Sequence, residues 1–493
     1  MMLEIVLVSV MVLLALLWQI FKKPAGLPPG RWGLPVIGYV PMGIGSISEH
    51  LLDLHKKHGD IYLWKLGTRV MVFLHDYHLC REAFTRNEFV DRPDWKVFAF
   101  MEHPCLGVFA SNGLIWRNNR HFSLRQLKDL GMGKSRLVEA VQKQALRLVE
   151  HFKTQAGKPA PVSHALSVFV VNVIWQMVAG KDFEMTDNKL KEFEATLESL
   201  MDVVSVMAIP DFFPWLKCFL PGFLRKQLFK EDLLLKSKKK FLKFFFEEME
   251  EHKAKLDRNN PRDLIDGYLI EIEDRKKDPE STFSERNLAF LTFDLFVTGS
   301  ETMTSTLTWM LYYLATYPEV QQKVQAEIDQ VLPKGTLATL QDKSRLPYTD
   351  AFLHEVLRKS SQTYVGVPHL TVSDTRLGGY NIPKGTVVAS AAAAIHHDPR
   401  YWDHPDEFQP ERWLDSEGKF VSKKEGFLPF GIGKRMCLAE SLGRTEMLIF
   451  STVMLQTLSI SCVPGKLLDL RPDPKNPFFH FSRKQELIIT VRE

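Results

Sequence analysis

The sequence predicts a mainly α-helical domain with a small β region, carried behind one N-terminal transmembrane helix. Three observations predict it: an almost wholly apolar N-terminal run, helical periodicity with few breakers across residues 135–317, and short β-like runs confined to residues 61–73 and 365–388. Composition agrees, because 25% charged and 45% hydrophobic residues over 493 positions are ordinary globular values that allow a large core. A formal net charge of +4 with no basic tract gives no ground for a nucleic-acid partner. The five cysteines are odd in number, scattered and without a CxxC pair, which suits a reducing compartment and argues against a zinc ribbon.

Taken in order, residues 1–21 hold MLEIVLVSVMVLLALLWQIF, close to the ~20 apolar residues needed to span a bilayer. Glu4 precedes the run, Trp18 and Phe21 close it, and Lys22 and Lys23 follow, a pattern expected of a retained anchor with the remaining chain in the cytosol rather than of a cleaved signal. The alternative is a buried core helix. Residues 22–38 are rich in proline and glycine and read as a stiff connector. Residues 39–493 then form one domain: paired strands in IYLWKLGTRVMVF, a helical body, a β segment at residues 365–388, and one long helix from about Leu438. No internal repeat is evident.

The stretch FGIGKRMCLAE, residues 430–440, packs two glycines, two cations and a cysteine into one loop. A metal-bound thiolate needs backbone N–H donors and nearby cations, and Cys437 stands just before a helix whose N-terminal dipole favours the anion. Taken alone, a buried cysteine beside a glycine turn is the simpler account. Elsewhere HEVLR places Glu355 and Arg358 one helical turn apart. In GLIWRNNRHF, Trp116 and Arg120 share a helix face able to offer an N–H and a guanidinium to one carboxylate, although a tryptophan with an arginine at a core edge is common. DLFVTGSETMTSTL sets Gly299 among hydroxyl residues that compete for helical hydrogen bonds, so a local kink is expected; a plain polar helix face is the alternative. IPDFFPWLKCFLPGFL is apolar and proline-broken, suited either to touching a bilayer through Phe212, Phe213, Trp215 and Phe219 or to core packing.

Phe430, Gly433, Arg435 and Cys437 fall on an FxxGxRxC pattern that resembles the cytochrome P-450 family, with Ala439 where a glycine is usual. Glu355 and Arg358 resemble its ExxR, and Arg412 of FQPERW its partner in a bracing network. Trp116 and Arg120 resemble its WxxxR, and His369 of VPHLTVSD stands at the matching β position. Gly299, Glu301 and Thr302 resemble its acid–alcohol pattern, Thr298 being a departure. The motifs keep the family's order from Pro28 to about Phe450 and look most like the animal microsomal class.

The resemblance implies a haem-thiolate fold with haem b (iron protoporphyrin IX) ligated by Cys437. It implies haem contacts from Trp116, Arg120, His369, Phe430, Gly433 and Arg435, and proton relay by Glu301 and Thr302. The implied activity is monooxygenation of a lipophilic steroid, terpenoid, fatty acid or xenobiotic at the endoplasmic reticulum membrane. Electrons would come from NADPH-cytochrome P-450 reductase, with cytochrome b5 an optional donor, docking near Arg117, His121, Lys128, Lys134 and Lys434. Phe293, Phe296, Val297, Val365 and Val367 are the expected pocket wall. A reductase-independent haem-thiolate isomerase and a non-catalytic haem sensor are the alternatives.

Overall fold

The computed structural model describes residues 6–7, 9, 11, 21–41, 47–97, 100, 102–129, 135–475 and 479–492. The expected anchor lies almost wholly outside the described residues, as does Lys134; among the described residues no helix is long and apolar enough to cross a membrane.

The expected mainly helical body is present. Its axis is the 32-residue helix Glu285–Thr316, started by Ser284, whose side chain accepts from Asn287 N. Against it packs helix Ser163–Ala179, apolar on most sides and buried from Val168 to Trp175, which ends at Gly180 in the left-handed conformation that glycine adopts without strain. Gly299 lets the two helices approach at their crossing, since a Cβ there would lie 2.5 Å from Ile174 Cδ1 and that side-chain end would have to shift. No break marks the expected kink: the helix runs continuously through Gly299, and the hydroxyls of Thr298, Ser300 and Thr302 each donate to the carbonyl four residues earlier. The last long helix, Glu440–Thr457, packs along helix Ser135–Thr154 and begins two residues later than expected.

The β part is also where the periodicity put it. Strands Ile61–Leu66 and Arg69–Leu74 form an antiparallel hairpin, and Val387–Ser390 and His369–Leu370 extend the sheet on one side. On the other side Gly30–Arg31 pairs in parallel with Leu63 and Trp64. Residues 22–38 are thus bonded along their length to the domain, with Asn381 N donating to Gly26 O and Gly67 N to Ile37 O, rather than free of it. The C-terminal antiparallel pair, Leu458–Cys462 with Glu486–Val491, was not legible in the sequence.

Candidate active site

The cysteine loop is closed by Cys437 N donating to Phe430 O at 2.8 Å and Met436 N to Gly433 O at 3.2 Å. Gly433 has φ +83° and a Cβ there would meet Phe84 O at 2.0 Å, so this glycine is demanded by the backbone of a neighbouring helix, Tyr77–Thr85. The Cys437 side chain is exposed, unlike buried Cys80 and Cys105. It is nonetheless enclosed enough that burial raises its pKa, against which the Ala439 N–H and the Arg120 charge pull downward; the thiol stands on the wall of a recess.

Around that recess three guanidinium groups converge. Arg435, at 8% exposure, spends Nε on Val90 O (2.8 Å) and Nη2 on Ser111 O (2.8 Å) and Asn112 Oδ1 (2.9 Å), and its Cζ lies 3.9 Å over the ring of Trp116. Arg92 donates Nη1 to Val367 O and Pro368 O, while its Nε is buried with no partner. Among the described residues Arg120 makes no hydrogen bond, and none of the three has a carboxylate in salt-bridge contact. Burial first, then mutual repulsion, pushes Arg92 down to about 9 and Arg435 down to about 8. Because guanidinium does not surrender its proton, the displacement registers chiefly the cost of burying these cations, with their mutual repulsion second and the Asp91 charge opposing it at Arg435.

His369 completes the group: its Nδ1 is 2.6 Å from Phe89 O, so the ring can donate further only through Nε2 as an imidazolium. Burial, with Arg92 and Arg435, holds its pKa well below the ordinary value, and a carboxylate entering the cluster would pull it back up. Sequence reasoning missed Arg92, which stands 343 positions from Arg435 in DRPDW without a recognisable spacing signal.

Behind the loop, Glu355 and Arg358 form the expected network. Glu355 Oε1 accepts from Arg358 Nη2 (2.7 Å), Gln409 N (3.0 Å) and Arg412 Nε (3.1 Å), and Oε2 from Arg358 Nε (2.9 Å) and Trp413 Nε1 (3.0 Å). Arg358 also donates to three backbone carbonyls, those of His396, Pro405 and Glu407. Burial acts to raise the Glu355 pKa, but Arg358, the Gln409 N–H and Arg412 outweigh it and hold the carboxyl below its usual range.

On the central helix, Thr302 Oγ1 donates to Thr298 O at 2.7 Å. Among the described residues no guanidinium or amide bonds Glu301: burial first, then Glu194 and Glu198, push its pKa up to about 7, while Lys484 pulls it down. Thr298 is exposed between the buried Phe296 and Ser300, so this face of the helix borders open space.

A cavity of about 130 Å³ adjoins the arginine cluster, with Arg92 its one charged lining residue beside Trp95, Phe109, Phe212, Val365 and Val367. The valines agree with the expected wall. Phe296 corrects it: the ring is 2% exposed and packed among Trp175, Phe183 and Phe193, and neither it nor Phe293 or Val297 lines the cavity. The apolar segment divides likewise, with Phe212 on the cavity and Phe219 76% exposed. Arg117, His121 and Lys128 stand exposed on helix Gly113–Asp129, and Lys434 on the loop. The one other grouping of metal-ligating side chains among the described residues, His252, Asp263 and Asp266, is spent on itself and on Arg262.

Comparison with known proteins agrees with this geometry. The Cytochrome P450 family model matches residues 28–488. Cytochrome P450 2L1 of Panulirus argus is 41% identical over 96% of this chain and 96% of its own length. Cytochrome P450 2B9 of Mus musculus is 36% identical over 94% of this chain and 96% of its own, and Cytochrome P450 18a1 of Drosophila melanogaster 32% over 94% and 86%. A match across nearly the whole chain, at these identities, makes this protein a member of the cytochrome P450 family, an oxidoreductase of the haem-dependent monooxygenase type.

Proposed function

We propose that the chain oxidises a lipophilic substrate at the recess beside Cys437, with Cys437 as the thiolate ligand of haem b and the arginine cluster as the seat of the haem propionates. The donor set fits the group: two carboxylates are what three uncompensated guanidiniums, the orphaned Arg92 Nε and an idle Arg120 call for, and Cys437 is the exposed thiol within the field of Arg120. Haem, when bound, supplies the dioxygen-activating chemistry.

The chain's own part is binding, orientation and proton supply. Trp116, Arg92, Arg120, His369 and Arg435 orient the cofactor's acidic edge; Phe430 and Gly433 shape the loop that presents the thiolate. Thr302 spends its hydrogen on Thr298 O, so its oxygen lone pairs face outward as acceptors able to hold water or a protonated group. Glu301, with a pKa raised to about 7, holds a proton that it releases near neutral pH, the property a general acid needs. The cavity's apolar wall suits a steroid, terpenoid, fatty acid or xenobiotic.

Electrons come from NADPH through a reductase, for which exposed Arg117, His121, Lys128 and Lys434 form a cationic docking face, with cytochrome b5 an optional second donor. Exposed Phe219, Phe223 and Leu228, with Leu34, Val36 and Ile37, give the domain an apolar surface for the endoplasmic reticulum membrane behind an anchor at residues 1–21; the Gly67–Thr68 turn links the two segments, Gly67 N donating to Ile37 O and Thr68 N to Phe212 O.

The observation that carries this proposal is the open Cys437 beside cations that lack a counter-ion. Its test is Cys437→Ser: the reduced carbonyl complex should lose the red-shifted Soret band of thiolate ligation, and retention of that band would remove Cys437 as ligand. Reductase-supported NADPH oxidation, accelerated by a bound ligand in the wild type, separates a monooxygenase from an isomerase or a sensor.

A further inference from the structure

We propose that His396 is a positioning residue for the cysteine loop: an imidazole clip that ties the loop's leading arm to the helix bearing Glu355 and Arg358. The proposal concerns how that loop is held, and it rests on the assignment of Cys437 as ligand only for its functional consequence.

His396 ends the short helix Ala392–His396 and is 1% exposed. Its Nε2 lies 2.8 Å from Leu428 N. An amide N–H only donates, so Nε2 must offer a bare lone pair, and the ring hydrogen is thereby placed on Nδ1. Nδ1 is 2.6 Å from Ser361 Oγ, and that hydroxyl donates onward to Arg358 O at 2.7 Å. The backbone of His396 is held from the same side, its carbonyl accepting from Arg358 Nη1 at 2.7 Å. The imidazole therefore spans from residues 358–361, at the end of helix Pro347–Ser360, to Leu428, and every hydrogen bond it can make inside the protein is made.

From Leu428 the connection continues into the loop. Leu428 O accepts from Gly431 N at 3.1 Å, and two residues after Leu428 the carbonyl of Phe430 receives Cys437 N at 2.8 Å. A shift at Leu428 moves the residue that closes the loop on Cys437. The Glu355–Arg358 network sits behind the loop, and His396 joins the two: its carbonyl accepts from Arg358 while its ring bonds Ser361, which donates to Arg358 O, and Leu428; Arg358 itself donates to Glu355 and to carbonyls at 396, 405 and 407. Protonation would turn Nε2 into a donor facing a donor. Burial, then His397, Arg358 and His480, keep the ring neutral.

The test reads the clip directly, by amide hydrogen exchange at Leu428 in the haem-loaded protein, and reads its consequence by the reduced carbonyl band. His396→Leu should speed exchange at Leu428 by about tenfold or more, the rate equivalent of about 1.4 kcal/mol for one lost buried bond, and should convert part of the thiolate band to the unligated form. His396→Gln, whose amide oxygen reaches the place of Nε2, should restore both; His396→Asn, which keeps only a donor near Nδ1, should restore neither. Ser361 has φ 39°, so Ser361→Gly suits the backbone while removing the Nδ1 partner, and it should speed exchange at Leu428 without lowering Tm. Unchanged exchange in both His396→Leu and Ser361→Gly, or equal losses in the Leu, Asn and Gln variants, would overturn the proposal. Because exchange at Leu428 is measured independently of ligation, a Cys437→Ser protein that kept its thiolate band would remove the ligand assignment and leave the clip standing.

Discussion

Arg358 and Arg92 are both buried guanidinium groups, and both donate to backbone carbonyls. Arg358 also meets Glu355 through two nitrogens, and Arg412 and Trp413 fill the remaining carboxylate sites, so the charge is cancelled where it stands. Arg92 has no carboxylate in contact, keeps an idle Nε, and shares its surroundings with Arg120 and Arg435. Burying a charge is tolerable when it is paired and hydrogen-bonded, and costly otherwise. The closed cluster is therefore complete as a piece of fold. The open one is complete only with an anion, which distinguishes a brace from a binding site without reference to what binds.

The largest effect follows from opening the closed cluster. Glu355→Ala leaves Arg358 buried without its counter-ion, and breaking a buried pair from one side costs about 3–5 kcal/mol. The variant should fail to accumulate as folded holoprotein, or should lose that much in urea denaturation. Replacing Glu355 and Arg358 together by apolar residues of similar volume should cost less than the single change, because the charges leave as a pair. A double variant no more stable than Glu355→Ala would show that packing, and not charge, dominates there.

Closing the open cluster should have the opposite sign in the two states of the protein. Arg120→Met removes a cation that has no partner of its own, so the chain prepared without haem should be as stable as wild type or more so. The haem-loaded protein should release its cofactor about tenfold to a hundredfold faster, the equivalent of one charge-assisted hydrogen bond of about 1.5–3 kcal/mol. Arg412→Met, drawn from the closed cluster, should instead destabilise both states. The comparison breaks if Arg120→Met weakens the haem-free chain, for then Arg120 has a structural role.

The sequence made one cluster easier to read than the other for a geometric reason. Glu355 and Arg358 lie on one helix at a spacing that brings them together, and Trp116 and Arg120 do likewise, so these pairs were visible in the residues themselves. Arg92, His396 and Trp413 find their partners across 20 to 276 positions of chain, where no local spacing operates. Phe296 failed differently. Residues two apart on a helix point roughly 200° from one another, and Thr298 faces the open side, so Phe296 must face the core. The sequence supplied the helix but not its rotation. The strap at residues 22–38 looked like a spacer because proline and glycine preclude a helix, yet they do not preclude pairing with a sheet edge.

The smallest expected effect belongs to a third, half-buried charge, Glu301, which inverts the case of Glu355. Glu355 has cations against it and a pKa below the usual range, so its contribution is present above that range and lost as pH falls. Glu301 has no cation in contact, and burial, aided by Glu194 and Glu198, lifts its pKa from 4.5 to about 7. Between those two values the folded chain holds a proton that the unfolded chain has released. The folded state is therefore favoured at the acid end, and its advantage from this group disappears as pH rises through about 7. Partial exposure of Glu301 and solvent screening reduce the effect to about 1–2 kcal/mol. Glu301→Gln mimics the protonated form at every pH, so urea denaturation of this variant should lack that part of the slope, and its gain over wild type should grow from acid to neutral pH. Lys484, whose ammonium bonds Glu198 at 2.8 Å, pulls the Glu301 pKa down, so Lys484→Met should move the wild-type slope to higher pH. Parallel pH profiles for wild type and Glu301→Gln would mean that Glu301 ionises as an ordinary surface carboxylate, and a proton donor poised near neutral pH would have to be sought elsewhere on the wall of the recess.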